Sequence, residues 1–321
     1  MDNGRESTMS TALVTTGRLH VLDTVMVDVA LHIDSLPVRG GDVVAHQRLV
    51  TAGGGFNVMS AATRQGCTAF YVGQLGEGAF SRVAQESLKA EGIVNLVAPH
   101  GPKDLGACAV LVERSGERTF ITSPGAELTL TADDLAAVVP APGDVVYVSG
   151  YNVVYPEIAT IVVAWLDGLG DDVIVAFDPG PRVADIPLDL LRRVLARTDW
   201  LLCNNLEASY LTRAHNAALA ARALMAQWAR RGVVVRDGAR GCVGIDATGE
   251  YVMPGYVTTV VDTNGAGDVH NGVVLAELLG GAELVTALDR ANAAASIAIS
   301  SFGPATCPSR SLVLARVAQG H

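Results

Sequence analysis

The chain has 321 residues, 50% of them hydrophobic and 17% charged, with a formal net charge of −10. That balance allows a large buried core and argues against wrapping nucleic acid, which needs a basic footprint. Five scattered cysteines without a Cys-x-x-Cys pair argue against a zinc site or disulfide framework, and no apolar run reaches the roughly 18 residues of a membrane span. A cytoplasmic location is the expectation.

The first residues, MDNGRESTMS, lack the apolar stretch of a secretory signal, so 1–16 is expected to be a disordered leader. Residues 25–31 predict a strand, 56–65 a helix, 68–72 a strand, and 79–90 a helix with Glu86 and Lys89 on its wet face. After a Pro-Gly turn, 144–149 predicts a buried strand. Residues 156–169 predict a helix with Pro156 in its first turn, where a missing N–H costs little. Strands follow at 173–177, 200–203 and 232–235, with a long helix at 217–231 and two closing helices at 266–279 and 283–300. This alternation predicts a parallel α/β sheet covered by helices on both faces. Segments 31–52 and 107–123 break the rhythm: they alternate apolar and polar residues between turns, as half-exposed antiparallel strands do. Together they predict a small β-sheet lid on a single domain spanning 17–315.

The segment Asp262-Thr263-Asn264-Gly265-Ala266-Gly267-Asp268 carries the most chemistry. A β-branched run at 257–261, read as a strand, leads into it, and a helix follows. Such a turn gathers free N–H groups at the positive end of a helix dipole, which makes an anion site. Small residues let a phosphate approach the backbone. Asp268 falls on the first helical turn, where a carboxylate can accept a proton from an attacking hydroxyl. An ordinary helix cap uses the same residue types.

This segment resembles the C-terminal signature D-T-x-G-A-G-D of the ribokinase-like (PfkB) carbohydrate kinases. The resemblance implies a doubly wound, mostly parallel sheet flanked by helices, with a small β-sheet lid, and an ATP-dependent kinase. It makes Asp268 the catalytic base and the amides of Gly265, Ala266 and Gly267 the anion hole. His270 departs from the Phe usual in the family, and Val273 from a small residue.

Five further segments fit the resemblance. Ala52-Gly53-Gly54-Gly55-Phe56-Asn57 lacks a full G-x-G-x-x-G and the Lys of a Walker loop, so by itself it reads as a strand-to-helix turn. It is similar to the family's G-G-x-x-x-N, with Ala52 in place of the first glycine. That implies sugar hydroxyls held by Gly53, Gly54 and Asn57, with Asp28 upstream, read as lying late in the first strand. Asn204 and Glu207 read as a capping box and also resemble N-x-x-E, which orders phosphates and Mg²⁺-bound water. Arg236-Asp237-Gly238-Ala239-Arg240-Gly241 resembles the nucleotide turn T-x-G-x-x-G, with Arg236 replacing Thr, and Asn292 falls where the adenine is walled. The loop 301–308 resembles a monovalent-cation loop, which implies K⁺ held by Asp262, Asn264, Ala298, Ser301 and Gly303. Asp178-Pro179-Gly180-Pro181-Arg182 reads as a turn braced by Arg182.

The expected substrate is a small sugar of the ribose or fructose type, with a homodimer formed through the lid. The alternative is a nucleoside, stacked on Phe56 and Tyr151. From other classes, an NAD(P)-binding oxidoreductase and a non-catalytic sugar-binding regulator remain as rivals.

Overall fold

Short runs of leucine and β-branched residues, buried on both sides, build the central layer. The structure, a computed structural model, describes residues 15–115, 117–303 and 306–321. Nearly all of the expected leader at 1–16 lies outside the described residues, as do the turn residue Gly116 and the loop residues Pro304 and Ala305.

In chain order come β1 (Leu19–Leu22), β2 (Val25–Ile33), β3 (Gln47–Gly54), α1 (Gly55–Arg64), β4 (Ala69–Tyr71) and α2 (Ala79–Ala90). Then follow β5 (Val94–Asn95), β6 (Ala107–Glu113), β7 (Arg118–Ser123), α3 (Ala132–Ala136), β8 (Val145–Ser149), α4 (Tyr151–Val154) and α5 (Pro156–Asp167). The middle holds β9 (Ile174–Asp178), α6 (Leu188–Arg197), β10 (Trp200–Asn204), α7 (Asn205–Thr212), α8 (Ala217–Gln227) and β11 (Gly232–Arg236). The chain closes with β12 (Cys242–Asp246), β13 (Gly249–Met253), α9 (Ala266–Leu279), α10 (Leu284–Ala298) and α11 (Arg310–Gln319). No helix among the described residues is long and apolar enough to cross a membrane.

These strands form a nine-stranded sheet, β13-β12-β11-β10-β9-β8-β1-β4-β5, and a four-stranded sheet, β3-β2-β6-β7. From β11 across to β5 every pairing is parallel, while β12 and β13 add an antiparallel edge. Side chains alternate between two cores. Leu19 of β1 and Tyr147 of β8 enter the core under α1, α9 and α10, whereas Leu22 and Val146 enter the one under α5, α6 and α8. The doubly wound class therefore holds.

Two sequence expectations do not hold. Residues 25–31 are not a body strand, because β2 is a central strand of the small sheet, antiparallel to β3 and parallel to β6. The cause is the buried pair Asp23-Thr24, where the Asp23 carboxylate accepts from the Thr24 N–H at 2.7 Å and turns the chain out of the large sheet. Asp28 consequently sits mid-strand in the small sheet. Residues 257–261 form no strand: Pro254 and Gly255 end the edge strand β13, and Val257 and Val260 stand 85% and 58% exposed with no ladder partner.

Helices α1 and α9 cross at Gly272, where an added Cβ would lie 2.4 Å from the Val58 carbonyl oxygen and 2.7 Å from the Ala61 Cβ. Alanine gains roughly 1 kcal/mol of helix propensity over glycine, but contact with a backbone oxygen cannot relax without moving a helix. Gly272→Ala is expected to destabilise by about 1–3 kcal/mol, as core overpacking does. A urea titration checks this by its midpoint, and an unchanged midpoint would mean the crossing has slack.

Candidate active site

The large sheet reverses its strand order between β1 and β8, and the carboxyl ends of the strands open a crevice at such a point. Asp23 follows β1, Ser149 ends β8, Asp178 ends β9, Asn204 ends β10 and Arg236 ends β11. Asn57 in the first turn of α1 and Asp268 in the first turn of α9 face them, and Asp28, Phe120 and Thr122 come from the small sheet. These residues line one cavity of about 640 Å³. A second, of about 460 Å³, is lined by Gly238, Gly241, Ala266 and Asn292 among others. Asn204, Arg236 and Gly267 line both, so they mark the seam between the two.

Local geometry prepares the seam. Gly265 caps α9 at φ +73°, a left-handed conformation that suits glycine. The Ala266 amide turns to the Thr263 oxygen at 3.3 Å. Among the described residues, the Gly265 and Gly267 amides meet no protein acceptor and are left for a ligand. Asn57 Nδ2 donates to Asp268 Oδ2 at 2.9 Å and fixes that carboxylate. Gly53 stands behind Asp28, where a Cβ would lie 2.5 Å from Oδ2, so only glycine leaves room for the carboxylate.

Five acidic side chains share the first cavity: Asp23, Asp28, Asp178, Glu207 and Asp268. Burial pushes Asp268 up to about 6; the Asn57 hydrogen bond and Arg236 oppose the rise, while Asp178 and Asp28 add to it. Burial likewise brings Asp28 to about 6 against a hydrogen bond from Asn264. Glu207 reaches about 7 through burial and the nearby Asp178, with Arg236 opposing. Asp23 is raised well above the usual carboxylate range by burial and then by Asp268. Carboxyls poised this close to neutrality can exchange protons at ambient pH.

Most residues picked out from the sequence meet here. Asp28, Gly54, Asn57, Asn204, Glu207, Arg236, Gly267 and Asp268 line the first cavity, and Gly238, Gly241, Ala266 and Asn292 the second. Asn204 and Glu207 form a full capping box, with Glu207 N donating to Asn204 Oδ1 at 2.9 Å and Asn204 N to Glu207 Oε2 at 2.8 Å. Asn292 spends its amide on the wall: Nδ2 donates to the Pro254 oxygen at 2.9 Å, and Oδ1 faces His270 Nε2 at 3.2 Å. Burial lowers His270 to about 3, so its ring is neutral. Arg182 pairs with Asp185 at 2.9 Å and lies over the Tyr155 ring, which makes it a brace.

Phe56 does not stack on a ligand. It is 4% exposed, inside the core, and the rings in the cavity wall are Phe120, Tyr147, Tyr151 and Tyr155. The glycines at 52–57 join small-sheet strand β3 to α1, not a parallel body strand to its helix, which removes the dinucleotide fingerprint an oxidoreductase would need. Sequence reading missed Asp23. Its signal was a polar Asp-Thr pair wedged between the apolar runs at 19–22 and 25–27.

The profile of the pfkB family of carbohydrate kinases matches residues 17–311. An uncharacterized sugar kinase of Escherichia coli K12, YegV, is 33% identical over 318 residues, 98% of each chain. An ATP-dependent ribose-1-phosphate kinase of Halopiger xanaduensis is 26% identical over 296 residues, 90% of this chain and 94% of its own. Among solved structures, Arabidopsis thaliana ribokinase complexed with ribose and ATP matches with a TM-score of 0.77 at 23% identity, over 94% of this chain and 98% of its own. At that identity the likeness is one of fold.

Among the described residues, several of the groups expected to hold a monovalent cation already have protein partners. Arg118 of β7 places Nη1 2.6 Å from Asp262 Oδ1 and also donates to Thr263 Oγ1. The Gly303 amide takes the other Asp262 oxygen at 3.2 Å, and the Asn264 amide shares the first at 2.8 Å. The Ala298 oxygen accepts from the Ser301 amide at 3.2 Å and from Thr306 Oγ1 at 3.0 Å. A guanidinium thus supplies the positive charge. Wild-type protein is expected to melt alike in KCl and NaCl of equal strength. Arg118→Ala should lower the melting temperature by about 1–4 °C, with KCl restoring more of the loss than NaCl. A wild-type melting curve that rises with KCl alone would refute the pairing.

Proposed function

The chain belongs to the pfkB family of carbohydrate kinases and is an ATP-dependent sugar kinase; we propose that its acceptor is a primary hydroxyl of a small sugar and that Asp268 is the general base. One observation carries this reading. A carboxylate held by Asn57 and poised near pH 6 stands in the first cavity, next in the chain to Gly267 at the seam with the second and beside helix-start amides with no acceptor among the described residues.

In the proposed reaction the sugar lies against Asp28, Gly53, Gly54 and Asn57, whose Oδ1 meets no donor among the described residues and is left for a hydroxyl. ATP occupies the second cavity, along Gly238, Gly241 and Asn292. The sugar oxygen bonds to the γ-phosphorus as the bond from that phosphorus to its bridging oxygen breaks. The electron pair stays on ADP, and the hydroxyl proton passes to Asp268. The amides of Gly265 and Gly267 receive the phosphoryl oxygens. The four-stranded sheet covers the cavity and keeps water, a rival acceptor, away.

Magnesium fits as an ion carried by the phosphates. Among the described residues no three acidic, His or Cys side chains are placed to cage a metal, and Glu207 in the cavity wall would hold such an ion through water. When bound, the ion neutralises phosphate charge.

A nucleoside is the second reading, favoured by Tyr151, Tyr155 and Phe120 around the first cavity. An ADP-release screen across ribose, fructose, 2-keto-3-deoxygluconate, adenosine, inosine and pseudouridine separates the two. Silence from all six would favour the non-catalytic regulator. The open edges of the small sheet, β3 and β7, expose Val50 (40%) and Ile121 (60%), and a second copy is proposed to cover this lid. Sedimentation velocity should then give about twice 33.3 kDa, and a monomer at working concentration removes that part.

Asp268→Asn is expected to bind ATP normally and lose about 10²–10⁴-fold in turnover, the usual contribution of a general base. A base must be ionised to act, so kcat/KM should fall as pH drops through about 6. Asn57 stabilises the carboxylate form, so Asn57→Ala should move that acid limb to higher pH. Near-wild-type turnover in Asp268→Asn, or a limb unmoved in Asn57→Ala, would sink the assignment.

A further inference from the structure

Arg236 ends β11 at the seam, and besides Asn204 and Gly267 it is the residue that lines both cavities. Its side chain is only 13% exposed. Nη2 donates to Asp178 Oδ2 at 3.0 Å and lies 3.8 Å from Glu207 Oε2, while Nη1 donates to Asn271 Oδ1. Asn271 Nδ2 in turn donates to the same Asp178 oxygen at 2.6 Å. Strand β9 and helix α9 therefore clamp the guanidinium plane from two directions. Gly267 packs over the face of the guanidinium: Nε, Nη2 and Cζ lie 3.5, 3.5 and 3.6 Å from where a Cβ on that residue would stand. Among the described residues Nε meets no protein acceptor.

The charge around it makes this placement consequential. Five carboxyl groups line the first cavity, and its other arginine, Arg182, is committed to Asp185. A phosphoryl group crossing from one cavity to the other carries negative charge into that acidic wall. The free amides of Gly265 and Gly267 offer partial charges only.

We propose that Arg236 is a catalytic cation of this enzyme, whose guanidinium contacts the phosphoryl group in flight between the donor and acceptor cavities. The inference rests on the kinase reading above. As the sugar oxygen bonds to phosphorus and the bridging oxygen leaves with its electron pair on ADP, charge spreads over the three equatorial oxygens. A fixed, planar, always-charged fork takes up that charge without reorganising. The hydroxyl proton goes to Asp268, and Arg236 neither gains nor loses one. The field of Arg236 also favours the ionised forms of Asp268 and Glu207, so the cation supports the base as well as the phosphate. Because Asp178 and Asn271 hold the side chain, the charge is in place without a substrate.

A purely structural partner of Asp178 would have the same burial, so the test must remove the pair together. Arg236→Gln combined with Asp178→Asn deletes the hydrogen-bonded charge pair together, and Glu207, already raised to about 7 by burial, can take up a proton when the cation is gone. This double variant is expected to melt near wild type and keep KM for sugar within a few-fold, with kcat down about 10²–10³-fold, the usual loss when a transition-state donor is removed. Arg236→Lys, which keeps the charge and loses the fork, should fall between. In parallel, calorimetry with ADP alone and with ADP plus aluminium fluoride reads transition-state binding without a sugar turnover. Wild type should bind the fluoride complex at least tenfold tighter than ADP, and the double variant should lose that gain while keeping ADP affinity. A double variant with wild-type kcat, or one that retains the aluminium fluoride gain, overturns the proposal. Failure of wild type to release ADP with any acceptor would instead overturn the sugar-kinase reading, and the fluoride comparison would still decide the role of Arg236.

Discussion

The hydrogen bond from Asn57 to Asp268 joins the first turns of two helices that approach the site from different parts of the chain. Everything else in the cavity is arranged about it. Helix α1 starts where strand β3 of the small sheet ends, so Asn57 reports the position of that sheet. Helix α9 starts at the glycine turn that offers free amides, so Asp268 reports the position of the anion site. The two helices keep register because Gly272 lets their backbones touch. A contact this close is rigid, and rigidity is what a base needs, since a displaced carboxylate loses most of its effect.

The turn that leads into α9 is also tied down from the lid side. Arg118 of β7 grips Asp262 and Thr263, and Asn264 shares the cavity wall with Asp28 of β2, whose ionised form it favours. The small sheet and the turn before α9 are therefore tied to each other by polar side-chain contacts. A guanidinium does here what a loosely held ion would do elsewhere, with the added effect that its position follows the sheet that carries it. Arg118 and Arg236 divide the labour: one fixes the turn from outside, the other sets the charge from beneath.

Much of the fold was legible because its signals were long or chemically sharp. The helix at 79–90 and the closing helix at 266–279 coincide with α2 and α9. The turn at 262–268 could be read as an anion site from glycine and dipole arguments alone. What was not legible had physical reasons. Strand β1 is four residues long and carries a buried His20, too short to stand out from a loop. Residues 25–31 have strand propensity in either sheet, and only the buried Asp23-Thr24 break tells which one they join. Residues 257–261 have the propensity and lack a neighbour, since a strand is a pairing and not a property of one segment. Phe56 looked available because it sits in a glycine motif, yet its position on α1 turns it into the core. Helix α6, with an amphipathic run over 188–197, and the antiparallel edge β12–β13 carried usable patterns that were passed over.

The buried charges explain why the family resemblance located the site but could not describe its electrostatics. Position 236 was read as a nucleotide contact with a missing hydroxyl. In three dimensions it lies beside Asp178 from β9 and Asn271 from α9, residues about 58 and 35 positions away in sequence. An arginine there without the carboxylate would be an unpaired buried cation, and the carboxylate without the arginine an unpaired buried anion; each is costly alone. The two are intelligible only as a pair, and a motif read one segment at a time cannot reveal a pair. The consequence reaches the chemistry. The fold sets a fixed cation among five acidic side chains by ending β11 at the seam of the two cavities, which is the placement the proposed role of Arg236 is built on.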